Sequence, residues 1–256
     1  MPVASLQSYR TVSLRVHSTA FAAQGQAMFL ESAVLDKLHR QCGFEQIRPG
    51  ATPADIVLDL NITQTGRGGG GWLANSNLAT IDTLLVLTDG QEGELLGTVR
   101  IHGQSSGMLI NNAPPENEAI DVVAKTIADM LAKSGCSGPR IARIKAPPPG
   151  PDPVVDTGSA APPPPDETHR TEAEALNEQG KQNLYAADLA GALAAFQQAN
   201  ALLPDARYEF NVCLALGAQE QWDNAITACR QANALHPQPK LATKIDHRLE
   251  LLQHHQ

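Results

Sequence analysis

The feature that most constrains the fold of this 256-residue chain is a proline-rich run near its middle. Residues 146–166 read APPPGPDPVVDTGSAAPPPPD, and nine of them are proline. Proline lacks an amide donor and fixes φ, so the run continues neither a helix nor a sheet. It predicts a linker between an N-terminal domain, residues 1–145, and a C-terminal domain, residues 167–256. As polyproline II the run would be a semi-rigid spacer of about 60 Å.

Charge and hydropathy exclude several classes of partner. The chain has 19 basic and 27 acidic residues, a net charge of -8, and no segment conceals a basic surface. Neither nucleic acid nor an anionic membrane surface is therefore expected as a partner. No run approaches about 18 apolar residues, and the start MPVASLQSYRTVSL lacks the features of a signal peptide. We expect a soluble chain whose leader has been removed, with membrane attachment only through a lost anchor.

Hydrophobic periodicity divides the N-terminal domain into strands and helices. Strand-like alternation occupies residues 9–17, 56–62, 81–87 and 95–101, and helical periodicity occupies residues 27–42 and 120–131. The order βαβββα predicts an α+β domain, a sheet covered on one side by two helices. The segments LHRQCGFEQI, ADIVLDLNIT and LGTVRIHG resemble the small α/β domain of bacterial envelope proteins and lipoproteins, such as the amino-terminal domain of TolB and relatives of CsgG. The resemblance implies a docking domain in the cell envelope.

The run TGRGGGGWLANSN contains Gly66-x-Gly68-x-x-Gly71, the spacing of a dinucleotide-binding fingerprint. That fingerprint requires the third glycine to open a long helix within a parallel βαβ unit. Here the next periodic segment, residues 78–88, is another strand, and no Lys-Ser/Thr pair follows the glycines. The run therefore predicts a hairpin loop, and no cofactor is expected.

The segment Gly103-Gln-Ser105-Ser-Gly107 fits the G-x-S-x-G pattern of a hydrolase nucleophile. A nucleophile elbow needs a strand, a sharp turn and a helix, followed by an acid and a histidine. The segment after Gly107 has the pattern of a loop, and the first later histidine, His169, lies beyond the prolines. We expect no catalysis at Ser105 and no enzymatic activity.

The histidines form no metal-binding pattern. His17 and His102 end strands on the polar face and would make a two-ligand pair if they were neighbours, which is weak evidence without a third ligand. The tail Asp246-His247-Glu250 is typical of a solvated helix face. No metal is expected.

Strand directions place three long loops at one end of the sheet. These loops are residues 17–25, 64–78 and 103–118. Loops clustered on a rigid scaffold commonly carry binding sites, so a small-ligand or glycan-binding sensor is the alternative function. Loops that bind nothing are the other interpretation.

The same topology brings two cysteines together at the opposite end. Cys42 lies in the last turn of the first helix, and Cys136 follows the second helix. We expect a disulfide that stabilises the domain by about 2–4 kcal/mol, with two inert thiols as the alternative. With a second pair in the C-terminal domain, these cysteines favour an oxidising compartment over the cytosol.

The C-terminal domain contains two similar segments whose corresponding positions are 33 residues apart, GKQNLYAADLAGALAAFQQANALLP and CLALGAQEQWDNAITACRQANALHP. Both copies resemble a tetratricopeptide repeat. Its small, aromatic and terminating-proline slots hold Gly180, Ala192, Phe196, Ala199 and Pro204, and then Cys213, Ala225, Cys229, Ala232 and Pro237. A last helix, residues 241–253, would cap the pair. The resemblance places Cys213 opposite Cys229 within one helical pair, where a disulfide would replace the lost aromatic packing.

In tetratricopeptide proteins a peptide or helix lies in the concave groove formed by the first helix of each repeat. By position the resemblance maps this groove onto Asn177, Lys181, Leu184, Arg207, Phe210 and Leu214. Cations beside apolar side chains suit an acidic or amphipathic segment, and ordinary surface is the alternative. Two repeats bury little area, so we expect them to stack on a protein partner or on a second copy of the chain.

Together these expectations predict a non-enzymatic adaptor or scaffold of the cell envelope. Each domain supplies a surface for binding, and neither supplies a recognisable set of catalytic residues. The predicted location is the periplasm or the outer membrane, with the cytoplasm as the alternative.

Overall fold

The computed structural model describes residues 6–18, 24–50, 52–67, 78–106, 114–137 and 165–253. Its strands are β1 (Thr11–Ser18), β2 (Gln46–Pro49), β3 (Ile56–Arg67), β4 (Ala79–Asp89) and β5 (Leu95–Gln104). Its helices are α1 (Gln24–Gln41), α2 (Pro115–Leu131), α3 (Pro165–Tyr185), α4 (Leu189–Leu202), α5 (Ala206–Ala218), α6 (Trp222–Ala234) and α7 (Pro239–Gln253). Most of the proline-rich run and of the glycine run lies outside the described residues.

The strands form one mixed sheet in the order β2-β1-β3-β4-β5. β1 is parallel to both of its neighbours, β2 and β3, whereas β3, β4 and β5 pair antiparallel in sequence. The predicted order βαβββα is therefore corrected to βαββββα. No sequence pattern indicated β2, because this strand has four residues, three of them exposed at the edge of the sheet, and so shows no hydrophobic alternation.

One face of the sheet carries α1 and α2, as the sequence predicted. Alternation along β3 sends Leu58 and Leu60 to this face and Asp59 and Asn61 to the other. The core shared by the sheet and these two helices includes Leu30, Val34, Leu58, Leu60, Leu85, Val123 and Ile127. Each of these side chains is fully buried.

The predicted disulfide between Cys42 and Cys136 is confirmed. The two sulfurs are 1.88 Å apart, and the Cα atoms are 4.9 Å apart. The backbone N–H of Gly43 also donates a hydrogen bond to the carbonyl oxygen of Cys136 at 2.8 Å. The bond spans 94 positions of sequence and ties the end of α1 to the turn that follows α2.

The C-terminal helices pack in consecutive hairpins, α3 with α4 and α5 with α6, and α7 packs against α5 and α6. α3 begins at Pro165, within the run predicted to be linker, because proline is well suited to the first turn of a helix. The ring of Phe196 lies directly on Gly180, where any Cβ would overlap it. The predicted Cys213–Cys229 disulfide joins α5 to α6, with its sulfurs 2.07 Å apart.

The helical part covers the second face of the sheet. Leu84, Val86 and Leu95 point to that face and share a core with side chains of α3, α4, α5 and α6. The prediction that a spacer holds two separate domains apart is therefore wrong, because the two halves pack against each other. Among the helices of the described ranges, none combines the length and the hydropathy needed to cross a membrane.

Candidate functional site

The candidate site is the junction between the second face of the sheet and the helical part. Its apolar centre consists of Leu84, Val86 and Leu95 from the sheet and Leu184, Phe210 and Leu214 from α3 and α5. None of these side chains is more than 3% exposed. Burial of one such side chain stabilises by about 1.5–3 kcal/mol, so the apolar centre is the main source of stability for the docked arrangement.

Tyr185, the last residue of α3, contacts the sheet in three ways. Its hydroxyl shares a hydrogen bond with Thr88 Oγ1 at 3.1 Å, and its carbonyl oxygen accepts one from Asn61 Nδ2 at 3.3 Å. The guanidinium carbon of Arg15 lies 5.7 Å from the centroid of its ring. Burial raises the pKa of the Tyr185 hydroxyl, which keeps it neutral. Tyrosine suits this position because it offers an apolar ring and a polar tip.

A partly buried ion pair lies beside Tyr185 on the same face of the sheet. Arg15 Nη2 is 2.5 Å from Asp59 Oδ2, and His17 Nε2 is 3.7 Å from Asp59 Oδ1. Asp59 is 2% exposed, and burial raises the pKa of its carboxyl, an effect that Arg15 opposes. Arg15 lies on β1 and Asp59 on β3, so the pair lies within the sheet, where Arg15 compensates the charge of the buried carboxylate beside Tyr185.

Polar contacts surround the apolar centre. Thr98 Oγ1 donates a hydrogen bond to the carbonyl oxygen of Leu214 at 2.8 Å. Lys244 Nζ of α7 lies 2.6 Å from Glu94 Oε2. Two further ion pairs across the junction are Lys240–Glu92 and Arg100–Glu220. Exposed ion pairs contribute about 0–1 kcal/mol each, so these contacts orient the helical part on the sheet but add little stability.

The structure corrects the predicted partner groove. Leu184, Phe210 and Leu214 do share one side of α3 and α5, but they are at most 2% exposed because the chain's own sheet covers them. Asn177 is also buried, and its Oδ1 accepts a hydrogen bond from Asn211 Nδ2 at 2.7 Å. These four residues are therefore closed to an external partner in the docked arrangement.

The two cations assigned to that groove already have acidic partners. Lys181 Nζ lies 3.0 Å from Glu178 Oε2. Arg207 Nη2 lies 2.7 Å from Glu174 Oε1 and 3.1 Å from Asp205 Oδ2. The repeat pattern used to assign the groove could not show that these two cations are paired with carboxylates. An acidic segment would have to displace those carboxylates. Both cations are therefore paired within the chain, and binding of an acidic segment by them stays a prediction.

A different groove, of about 510 Å³, runs between α4 and α6 with α5 as its floor. Its polar lining is rich in amide side chains, namely Gln197, Asn200, Gln221, Asn224 and Gln231. Its apolar lining consists of Leu193, Ala201, Val212, Leu216 and Ala228. At its base, Asn200 Nδ2 donates to Glu209 Oε2 at 2.6 Å, and burial raises the pKa of that carboxyl. The sequence analysis did not identify this groove.

Ser105 directly follows β5 and continues its hydrogen bonding with β4. Its Oγ accepts a hydrogen bond from the backbone N–H of Ala79 at 2.9 Å, and its own N–H donates to the carbonyl oxygen of Ala79 at 2.9 Å. The side chain is 3% exposed. The hydroxyl thus has a structural partner within the sheet.

The two strand-end histidines do not meet. β1 and β5 are separated by β3 and β4, a distance of about 14 Å across the sheet. His17 lies beside Asp59, and His102 Nδ1 lies 2.7 Å from Asp82 Oδ1. His17 and His102 therefore do not form the two-ligand pair that the sequence left open. Within the described residues, no group of three potential metal ligands occurs.

The predicted clustering of loops at one end of the sheet agrees with the strand register. Arg67 pairs with Ala79, and Thr80 pairs with Gln104, so β3, β4 and β5 form successive hairpins. β1 is parallel to β3 and therefore ends at the same edge. Residues 19–23, 68–77 and 107–113 lie outside the described residues, and ligand binding by these loops stays a prediction.

No family model and no curated protein matches the sequence. The PelC dodecamer from Paraburkholderia phytofirmans is 11% identical with a TM-score of 0.40, over 51% of this chain and 93% of that chain. A minor lipoprotein from Acinetobacter baumannii is 13% identical with a TM-score of 0.32, over 49% and 94%. A lipoprotein from Neisseria meningitidis is 12% identical with a TM-score of 0.30, over 48% and 98%. Similarities at this level do not assign the chain to a family.

Proposed function

We propose that the protein is a non-enzymatic adaptor of the cell envelope in which the sheet and the helical part act as one docked body. The docked body is supported by the observation that the sheet fills the side of α3 and α5 predicted for a partner, and the adaptor role by the open groove between α4 and α6. Undocking would expose six large apolar side chains at about 1.5–3 kcal/mol each. A partner that displaced the sheet would have to supply this free energy, so binding to a surface already open is favoured.

The groove between α4 and α6 is the surface proposed for the partner. Amide side chains both donate and accept hydrogen bonds, as the backbone of an extended peptide requires. The groove therefore suits an extended, polar segment of another protein, with Val212 and Leu216 below it as an apolar floor. The consecutive helical hairpins support the tetratricopeptide resemblance, which implies a role in protein binding.

The cysteines support the proposed location. Each half of the protein is closed by its own disulfide, Cys42–Cys136 in one and Cys213–Cys229 in the other. Disulfides persist in the periplasm and outside the cell, and are rare in the cytosol. We therefore propose that the adaptor acts in the periplasm or at the outer membrane.

Site-specific photo-cross-linking in producing cells tests the adaptor role. A photoreactive residue at Gln231 in the groove should give a discrete cross-linked product with another protein. The same residue at Lys125, an exposed position of α2 on the opposite side of the sheet, is the matched control and should give none. No product from Gln231, or equal products from both positions, would contradict a partner in this groove.

A further inference from the structure

A second cavity lies where the α/β half meets α7, and it is separate from the groove between α4 and α6. Its volume is about 590 Å³, which is within the usual range for small-molecule sites. Residues 7–9, 96–97 and 133–135 form one wall, and α7 forms the other. Tyr9, Leu96 and Leu251 give the cavity an apolar part. A molecule bound here would contact both halves of the protein.

Arg248 of α7 brings a partly desolvated guanidinium to this cavity. Its Nε is buried and has no hydrogen-bond acceptor among the described residues. α5 approaches the guanidinium at Gly217, where any Cβ would overlap Nη2. Burial lowers the pKa of Arg248 to about 10, so the group is still charged at neutral pH. Leaving a desolvated guanidinium N–H without an acceptor is unfavourable, and an anion in the cavity would remove that cost.

The other charged residues around the cavity do not neutralise the positive charge of Arg248. Its basic lining residues are Lys133, Lys240, Lys244 and Arg248, with His247 beside them, and none of the described lining residues is acidic. Glu92 and Glu94, outside the lining, pair with the first two lysines of α7. Lys133 lies near Asp129, which itself pairs with Lys125, so Lys133 and Arg248 supply the remaining positive charge, one from each half of the protein.

We propose that this cavity binds a small organic molecule that carries a phosphate group. Arg248 and Lys133 would hold the phosphate from opposite walls, because guanidinium and ammonium groups are strong donors to phosphate oxygens. The volume exceeds what a phosphate ion alone fills, so the organic part lies against Leu96 and Leu251. Because the ligand contacts both halves, it also stabilises the docked arrangement. This site does not depend on the adaptor role.

Calorimetric titration of the full chain in chloride buffer of constant ionic strength tests the site. Inorganic phosphate and phenyl phosphate are the probes, and both should bind, phenyl phosphate the more tightly because its ring covers the apolar wall. Arg248→Gln should weaken the binding of phenyl phosphate about tenfold to a hundredfold. Arg40→Gln removes an exposed guanidinium from α1, 72% exposed, and should keep the wild-type affinity.

Lys133→Gln is the second variant, and it tests phosphate binding at the cavity if Arg248→Gln does not fold. Lys133 is exposed, so its replacement leaves the core intact, and binding should weaken about tenfold. The proposal is overturned if neither probe binds the wild type, if a folded Arg248→Gln or Lys133→Gln variant binds as the wild type does, or if Arg40→Gln loses as much affinity.

Discussion

Replacing Leu84 with aspartate is expected to lower the free energy of unfolding by about 3–5 kcal/mol. Leu84 lies on β4, is 1% exposed, and contacts the core formed with the helical part. In the docked protein the new carboxylate would be buried at the apolar centre, which is costly, because Arg100, its cross-strand neighbour, already pairs with Glu220. On a sheet with an open second face the same change would be nearly neutral. Urea unfolding followed by circular dichroism measures the difference.

Met28→Asp is the matched control for Leu84→Asp. Met28 lies on α1 and is 79% exposed, so the same charge introduced there stays in water. Its effect should be within about 0.5 kcal/mol of the wild type. If Leu84→Asp were as mild as Met28→Asp, the second face of the sheet would not be covered.

Removing the disulfide of the α/β half is expected to have the second large effect. Cys42 and Cys136 are 94 positions apart, whereas Cys213 and Cys229 are 16 apart. A disulfide stabilises a protein by constraining its unfolded chain, and this stabilisation grows with the length of the closed loop. It is about 3 kcal/mol for a loop of about 15 residues and about 4.7 kcal/mol for one of about 100 residues. The Cys42→Ala/Cys136→Ala variant should therefore lose more stability than the Cys213→Ala/Cys229→Ala variant. Denaturant titrations of both variants measure the order.

The wild type treated with dithiothreitol under unfolding conditions is the control for both disulfide variants. Once both bonds are reduced, it should be less stable than either double alanine variant. Equal stabilities of the two variants, or the reverse order, would contradict the loop-length explanation. No loss in either variant would mean that the bonds are not formed in the folded protein.

Local pattern was sufficient to predict the α/β half, since alternation and helical periodicity reflect one buried face. It gave α1, α2 and four strands, and the positions of Cys42 and Cys136 at element ends gave the first disulfide. The second, Cys213–Cys229, followed from the tetratricopeptide resemblance. β2 was not predicted because an exposed edge strand of four residues has no buried face and therefore no hydrophobic alternation. Its pairing with β1 depends on the path of the chain after α1.

The docking of the two halves depends on contacts between residues far apart in sequence, and it was missed. One signal was present: residues Leu84–Leu87 are consecutively apolar, which is typical of a strand buried on both faces. The sequence analysis used only the alternating members of that run. The tetratricopeptide resemblance likewise pointed to buried positions on α3 and α5, but it could not show that the chain's own sheet covers them.

Zero-length cross-linking of the full chain with a carbodiimide tests the docked arrangement most directly. Lys244 Nζ and Glu94 Oε2 are 2.6 Å apart although they are far apart in sequence, so the reagent should join them by an amide bond. The account predicts that peptide mass spectrometry of the monomeric fraction finds the Glu94–Lys244 link and, beside it, Glu92–Lys240. A cross-linked monomer that contains neither link, while the Lys125–Asp129 pair within α2 is joined, would contradict it.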